Sequence, residues 1–102
     1  MAPWKKKCRI IEREYENHYF KPQGIPLSKL AKVTLGHDEL EAMRLVDLEH
    51  QRQADAAVQM NISAATIQRM VEAAREKVTR ALIEGHAIEI EGGDYQLKME
   101  EK

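Results

Sequence analysis

The stretch 53-QADAAVQMNISAATIQRM-70 carries two apolar rows at helical spacing, separated by a short break. This pattern predicts two short helices joined by a tight corner. With Gln53 as position 1 of a helix-turn-helix, the positions that must be apolar or small hold Ala56, Ala57, Met60, Ile62, Ile67 and Met70. Position 9, where the backbone bends and is usually left-handed, holds Asn61, which tolerates that conformation better than most residues. We therefore predict a helix-turn-helix.

The second helix of the corner is expected to begin after Ser63, whose hydroxyl can cap it, and to end near Glu84, before Gly85. Its apolar residues follow the spacing of a buried helical face: Ile67, Met70, Val71, Ala74, Val78, Ala81 and Leu82. With its later part included, this apolar row is longer than one short partner helix could cover. The later part therefore either extends the core or forms a dimer contact.

The segments on either side of the corner show a helix before it and strands after it. Helical patterning starts near Leu35, with acidic residues in the first turn and an apolar face made of Leu40, Ala42, Met43, Leu45, Val46 and Leu48. After Gly85 the apolar period changes to two, and Gly92-Gly93 predicts a hairpin with Ile90 opposite Tyr95 and Ile88 opposite Leu97. The hairpin either rests on the helices or adds a strand from Cys8 to Ile11.

The expected fold is mainly α: a helix-turn-helix with a three-helix core and a small C-terminal β-hairpin, which an N-terminal strand can join. Its 102 residues suit one structural domain. We divide that domain into a basic, irregular N-terminal arm (1–33), the helix-turn-helix (34–85), and the hairpin with a tail (86–102). With 43% hydrophobic but only 5% aromatic residues, the core is expected to be aliphatic.

Charge and cysteine content narrow the class of protein. The net charge is −1, yet residues 1–33 hold eight Lys and Arg against three Glu, whereas residues 34–62 hold two against six acids. Such asymmetry can steer a partner. One cysteine and no long apolar run lead us to expect a cytoplasmic protein without a membrane partner. The four histidines lie far apart without ligand spacing, so we expect no metal, no cofactor and no enzymatic activity.

The outer face of the second corner helix is typical of a helix that reads the major groove. Thr66, Gln68 and Arg69 are candidates to read bases, and small residues let the backbone approach. Glu72 either accepts from cytosine or orients a neighbouring arginine. The other candidate residues either contact phosphates or lie where the helix backbone approaches the DNA closely. They are Arg52, Ser63, Ala64, Ala65 and, on the basic arm, Lys5, Lys6 and Lys7. The arm lysines either contact DNA or form a solvated terminus.

These features predict sequence-specific binding of double-stranded DNA and regulation of transcription, with a recognition helix over about 63–84. Because one such helix reads few base pairs, we expect a homodimer. Two alternatives remain at this point. The corner can be an ordinary helix pair in a bundle. It can also belong to a module that binds another transcription protein through the helix-turn-helix and the acidic helix 38–49.

Four segments, YFKPQGIPL, DELEAMRLVDLE, QADAAVQMNISAATIQRMVEAAREKV and ALIEGHAIEIEGG, together resemble a family of small prokaryotic proteins, domain of unknown function 134. The resemblance runs from about Cys8 to Leu97. It implies a DNA-binding protein with a helix-turn-helix similar to region four of sigma factors. That family usually has Gly where His50 and Asn61 stand, and Ser or Thr where Arg52 stands. The resemblance therefore implies a left-handed backbone at His50 and a lost helix cap at Arg52, which costs about 1 kcal/mol.

Overall fold

The computed structural model describes residues 9–16 and 18–98. This part of the chain forms, in order, β1 (Arg9–Ile11), β2 (Tyr19–Phe20), β3 (Lys32–Leu35), α1 (His37–Met43), α2 (Gln53–Met60), α3 (Ala64–Glu84), β4 (Ala87–Ile90) and β5 (Tyr95–Leu97). A 3-10 turn over Leu27–Lys29 precedes β3, and a π-helical segment over Arg44–Leu48 continues α1. The mainly α class is confirmed, with its helix-turn-helix formed by α2 and α3. No helix in the described ranges is long and apolar enough to cross a membrane.

The core is aliphatic and lies where the three helices meet β1. Its buried members come from β1, α1, the π-helical segment, α2 and α3: Ile11, Ala42, Leu45, Ala56, Ala57, Met60, Ile67, Met70 and Val71. Ala57 is buried on α2 and its carbonyl accepts from Ile62 at the turn into α3, where a small side chain lets the two helices approach closely. Five of the six predicted corner positions are buried, and Ile62 packs against the same cluster while partly exposed.

The two C-terminal strands occur where they were predicted, but they lie in different sheets. β4 is the centre of a three-stranded sheet, antiparallel to β2 and parallel to β3. β5 pairs in parallel with β1, so the N-terminal strand does join the β element. The predicted pairs Ile90–Tyr95 and Ile88–Leu97 therefore do not form. Instead, the Gly92 carbonyl accepts from the His37 amide at 2.9 Å, which fixes the connecting loop to the start of α1.

The π-helical segment corrects the apolar face predicted for the first helix. Leu48 is 68% exposed, although Leu45 is buried. In a continuous α-helix Leu48 would lie one turn beyond Leu45 on nearly the same face, and the wider π turn rotates it away from the core. The backbone then reaches His50, whose φ of 61° is left-handed, as the resemblance implied. Arg52 precedes α2 without a side-chain cap, also as expected.

Candidate nucleic-acid interface

The corner between α2 and α3 is fixed by backbone hydrogen bonds. Asn61 has a left-handed φ of 61°. Its amide donates to the Val58 carbonyl at 3.1 Å, and the Ile62 amide donates to the Ala57 carbonyl at 3.0 Å. This pair of bonds is a Schellman motif, in which the residue after the helix turns left-handed and the last carbonyls are satisfied. The angle between α2 and α3 is thus set by the backbone and by the core beneath it.

Ser63 begins α3 in the predicted way. Its Oγ accepts from the Thr66 amide at 3.0 Å and donates to the Thr66 Oγ1 at 2.8 Å. The amides of Ala64 and Ala65 belong to the first turn and have no intrahelical acceptor. Both alanines are exposed. The start of α3 therefore presents two amides on a surface that has no long side chain to block a phosphate or a base edge.

One side of α3 is buried and the other faces solvent. Ile67, Met70, Val71 and Ala74 are buried, whereas the predicted reading residues Gln68 and Arg69 are exposed and Thr66 is partly exposed. Within the described ranges Arg69 forms no hydrogen bond or ion pair. Gln68 Nε2 lies 3.4 Å from Glu72 Oε2, so the structure places Glu72 beside Gln68. We call the exposed set Ser63, Ala64, Ala65, Thr66, Gln68, Arg69 and Glu72 the outer strip.

Arg52 lies before α2 and is also exposed, with 85% of its side chain accessible. Its Nε donates to Asp55 Oδ2 at 3.2 Å, across a single helical turn. An ion pair between two exposed side chains contributes little and can be exchanged for another anion. The remaining predicted contacts, Lys5, Lys6 and Lys7, lie outside the described residues.

Two ion pairs that periodicity did not indicate hold α3 against α1 and the π-helical segment. Arg75 binds both carboxylate oxygens of Asp47, at 3.1 and 2.7 Å, and Lys77 Nζ binds both of Glu39, at 2.7 and 2.9 Å. The hydrogen bond from Arg75 holds the pKa of Asp47 below its usual range. No local signal could have identified these pairs, since Asp47 and Arg75 lie 28 residues apart.

A polar network centred on the buried Glu41 joins the N-terminal segment to α1 and the π-helical segment. Glu41 is only 1% exposed. It accepts from the Tyr15 hydroxyl, from Arg44 Nε at 2.9 Å and from the Glu12 amide at 3.1 Å. Burial and the nearby carboxylate raise the pKa of the Tyr15 phenol, so the phenol stays protonated. We call Glu12, Tyr15, Glu41 and Arg44 the base network.

A family model, described as protein of unknown function DUF134, matches residues 2–98. The chain belongs to this family. It is 50% identical over 91 residues to a UPF0251 protein of Halothermothrix orenii, a match that covers 89% of this chain and 67% of that one. It is 49% identical over 90 residues to a UPF0251 protein of Desulforudis audaxviator, covering 88% of this chain and 59% of that relative.

A third relative, a UPF0251 protein of a Thermoanaerobacter species, is 45% identical over 96 residues, which cover 94% of this chain and 85% of the relative. No solved structure matches the chain. The share of each relative that is matched therefore ranges from about three fifths to more than four fifths. The names of these relatives carry no activity, so a functional proposal depends on the geometry of α2 and α3.

Proposed function

We propose that this protein binds duplex DNA sequence-specifically and regulates transcription, with the first turns of α3 in the major groove. One observation carries the proposal: the outer strip is exposed on a helix whose angle to α2 is fixed by a Schellman motif and a packed core. A rigid elbow of this kind presents a helix to base edges at low entropic cost. The family resemblance implies that this is also the part of the fold similar to region four of sigma factors.

Each residue of the outer strip has a chemical role in this proposal. Arg69 has no partner among the described residues and can bond the O6 and N7 of guanine, while Gln68 can bond adenine once it exchanges its contact with Glu72. The amides of Ala64 and Ala65 at the start of α3, and Arg52 at the start of α2, contact phosphates. Because Ala64 and Ala65 are small, the helix can approach the groove floor closely.

The alternative, a protein-binding module that uses the acidic helix, is less well supported. Each acidic side chain on α1 and the π-helical segment already has a cationic partner within the molecule. Glu39 binds Lys77, Asp47 binds Arg75, and Glu41 binds Arg44. Asp38 and Glu49 lie within 3.6 Å of Arg9 and 3.3 Å of Arg44 respectively. This face therefore offers little uncompensated negative charge to a basic partner.

Selection from random duplex DNA tests the proposal, followed by affinity measurements on the enriched site. Arg69→Ala should weaken binding about tenfold to a hundredfold and relax the preference for guanine at one position. Arg13→Ala is the matched control, since Arg13 is also exposed and forms no ion pair among the described residues, but it lies in the N-terminal segment, outside α2 and α3. Wild-type affinity should also fall steeply as salt rises. If no motif is enriched, or if both substitutions have equal effects, the proposal fails.

A further inference from the structure

The C-terminal third of α3, where the apolar row was predicted either to extend the core or to form a dimer contact, exposes large apolar side chains. Leu82 and Ile83 are 75% and 79% exposed, although Leu82 continued the predicted buried row. Leu82 also lines a groove of about 220 Å³ together with Ala81, Ile88 and Phe20, which is itself half exposed, and with the polar residues Lys21 and His86. A protruding apolar side chain next to an apolar groove makes a self-complementary surface, as a two-fold contact requires.

We propose that this surface, Thr79, Leu82 and Ile83 with Phe20 beside them, binds the same surface of a second copy, with the two α3 helices antiparallel. The inference deepens the proposed function, on which its geometry rests. Two recognition helices that enter successive major grooves lie ~34 Å apart. At 1.5 Å per residue, a two-fold axis passing α3 near residue 80 places each Arg69 about 17 Å from the axis. The half-site spacing therefore requires a helix contact where the apolar residues are exposed.

The directions of the side chains fit the same axis. At about 100° per residue, Arg69 lies roughly a quarter turn around α3 from Thr79. One side of α3 can then meet the partner helix while the adjacent side faces the groove. Thr79 is exposed and small enough to accept Leu82 of the second copy. Arg80 is held by Glu76 and Glu84, both at 3.3 Å, so paired charges form a polar rim beside the apolar contact.

Sedimentation equilibrium on the full chain tests the interface. Wild type is expected to be a dimer, and Leu82→Glu should weaken association about a hundredfold because two carboxylates would face each other in an apolar contact. Val58→Glu is the matched control: Val58 is 80% exposed, but it lies on α2, away from the axis. Ile83→Glu is the second variant. Circular dichroism confirms that each variant folds, as expected for positions so exposed.

The outcomes separate this inference from the proposed function. A wild type that is monomeric at every concentration, or Leu82→Glu and Ile83→Glu variants that dimerise as well as wild type, would overturn the interface. Arg69→Ala should leave the dimer intact while it weakens DNA binding. If only the Leu82 and Ile83 variants lose the dimer, and wild type has no affinity for DNA, the proposed function is refuted and the interface stands. Selected DNA sites without a second half-site one turn away would refute the axis alone.

Discussion

The elbow formed by α2 and α3 and the base network beneath α1 are stabilised in different ways. In the elbow, the decisive hydrogen bonds join residues three to five positions apart, such as Thr66 to Ser63 and Ile62 to Ala57. In the base network, Glu41 binds Tyr15 across 26 residues and Arg44 binds Glu12 across 32. The elbow is a local structure resting on an apolar core, whereas the network is a long-range polar clamp between the N-terminal segment and α1.

This difference assigns separate tasks to the two regions. The turn between α2 and α3 satisfies the last carbonyls of α2 by its own backbone bonds, so outer side chains such as Gln68 and Arg69 are not needed for folding and stay available for a partner. The base network uses its polar groups on one another, which leaves little free charge and makes each member costly to remove. The exposed outer strip and the polar clamp that holds the N-terminal segment to α1 are thus built from separate sets of residues. Substitutions in the two regions should differ in their effects on stability.

Glu41→Ala is expected to have the largest effect on stability, because it removes the acceptor that the base network shares. Arg44 would lose its buried partner, and the Tyr15 hydroxyl and Glu12 amide would lose their acceptor. We expect a loss of about 4 kcal/mol in the free energy of unfolding, measured by urea denaturation. Glu49→Ala, which removes the half-exposed partner of the same arginine, should cost less than about 1 kcal/mol. Equal losses in the two variants would contradict this interpretation of the network.

The dependence of the unfolding free energy on pH, at acidic pH, provides a second measurement on the same variant. Burial alone would raise the pKa of Glu41, but the hydrogen bonds from Arg44 and Tyr15 outweigh burial and leave the pKa below its ordinary 4.5. A carboxylate with a lowered folded-state pKa gives stability that is complete above its unfolded-state pKa and is lost as pH falls through the folded-state value. Below pH 4.5, wild type should therefore lose unfolding free energy more steeply than Glu41→Ala. Parallel profiles would count against the network.

Gly93→Ala should have the next largest effect, through the loop that joins β4 and β5. A Cβ at Gly93 would lie 2.5 Å from Asp38 Oδ1, and the φ of 109° there is unfavourable for any side chain. We expect a loss of about 3 kcal/mol in the free energy of unfolding. Gly92→Ala is the control, since φ is also positive but no atom lies within 4 Å of the added Cβ. Gly92→Ala should cost about 1 kcal/mol of unfolding free energy. If Gly92→Ala costs more than Gly93→Ala, the contact with Asp38 does not determine the loss at Gly93.

The elbow could be predicted because each of its signals acts within one or two turns. Ser63, Asn61 and Gly85 cap or end helices through their own backbone and side-chain chemistry, and the structure has all three in those roles. The outward direction of Gln68 and Arg69 followed from the same periodicity. The direction of a side chain depends on the helix alone, so this part of the candidate site could be read from spacing.

The β element and the ion pairs could not be predicted in this way. β2 has two residues and β3 has four, and both pair with a strand more than fifty positions away. Such short segments show no distinctive period. Whether Leu82 extends the core could not be predicted for a related reason: periodicity shows which residues share a helical face, but not how far along that face the covering surface extends. The face remains covered at Ala81, and Leu82 lies beyond its edge.

Ser63→Ala is the smallest of the expected changes and tests whether the elbow is indeed local. The substitution removes the acceptor of the Thr66 amide at 3.0 Å, which is the only side-chain cap on α3 among the described residues. Urea denaturation should show a loss of about 1 kcal/mol, and Ser28→Ala, an exposed serine in the 3-10 turn, should change stability by less than about 0.5 kcal/mol. The Schellman bonds at Asn61 and the core beneath α3 remain in the variant, so its helix angle should persist. A loss as large as that of Glu41→Ala would mean that the elbow depends on its cap for folding, and that the two regions are not built on different principles.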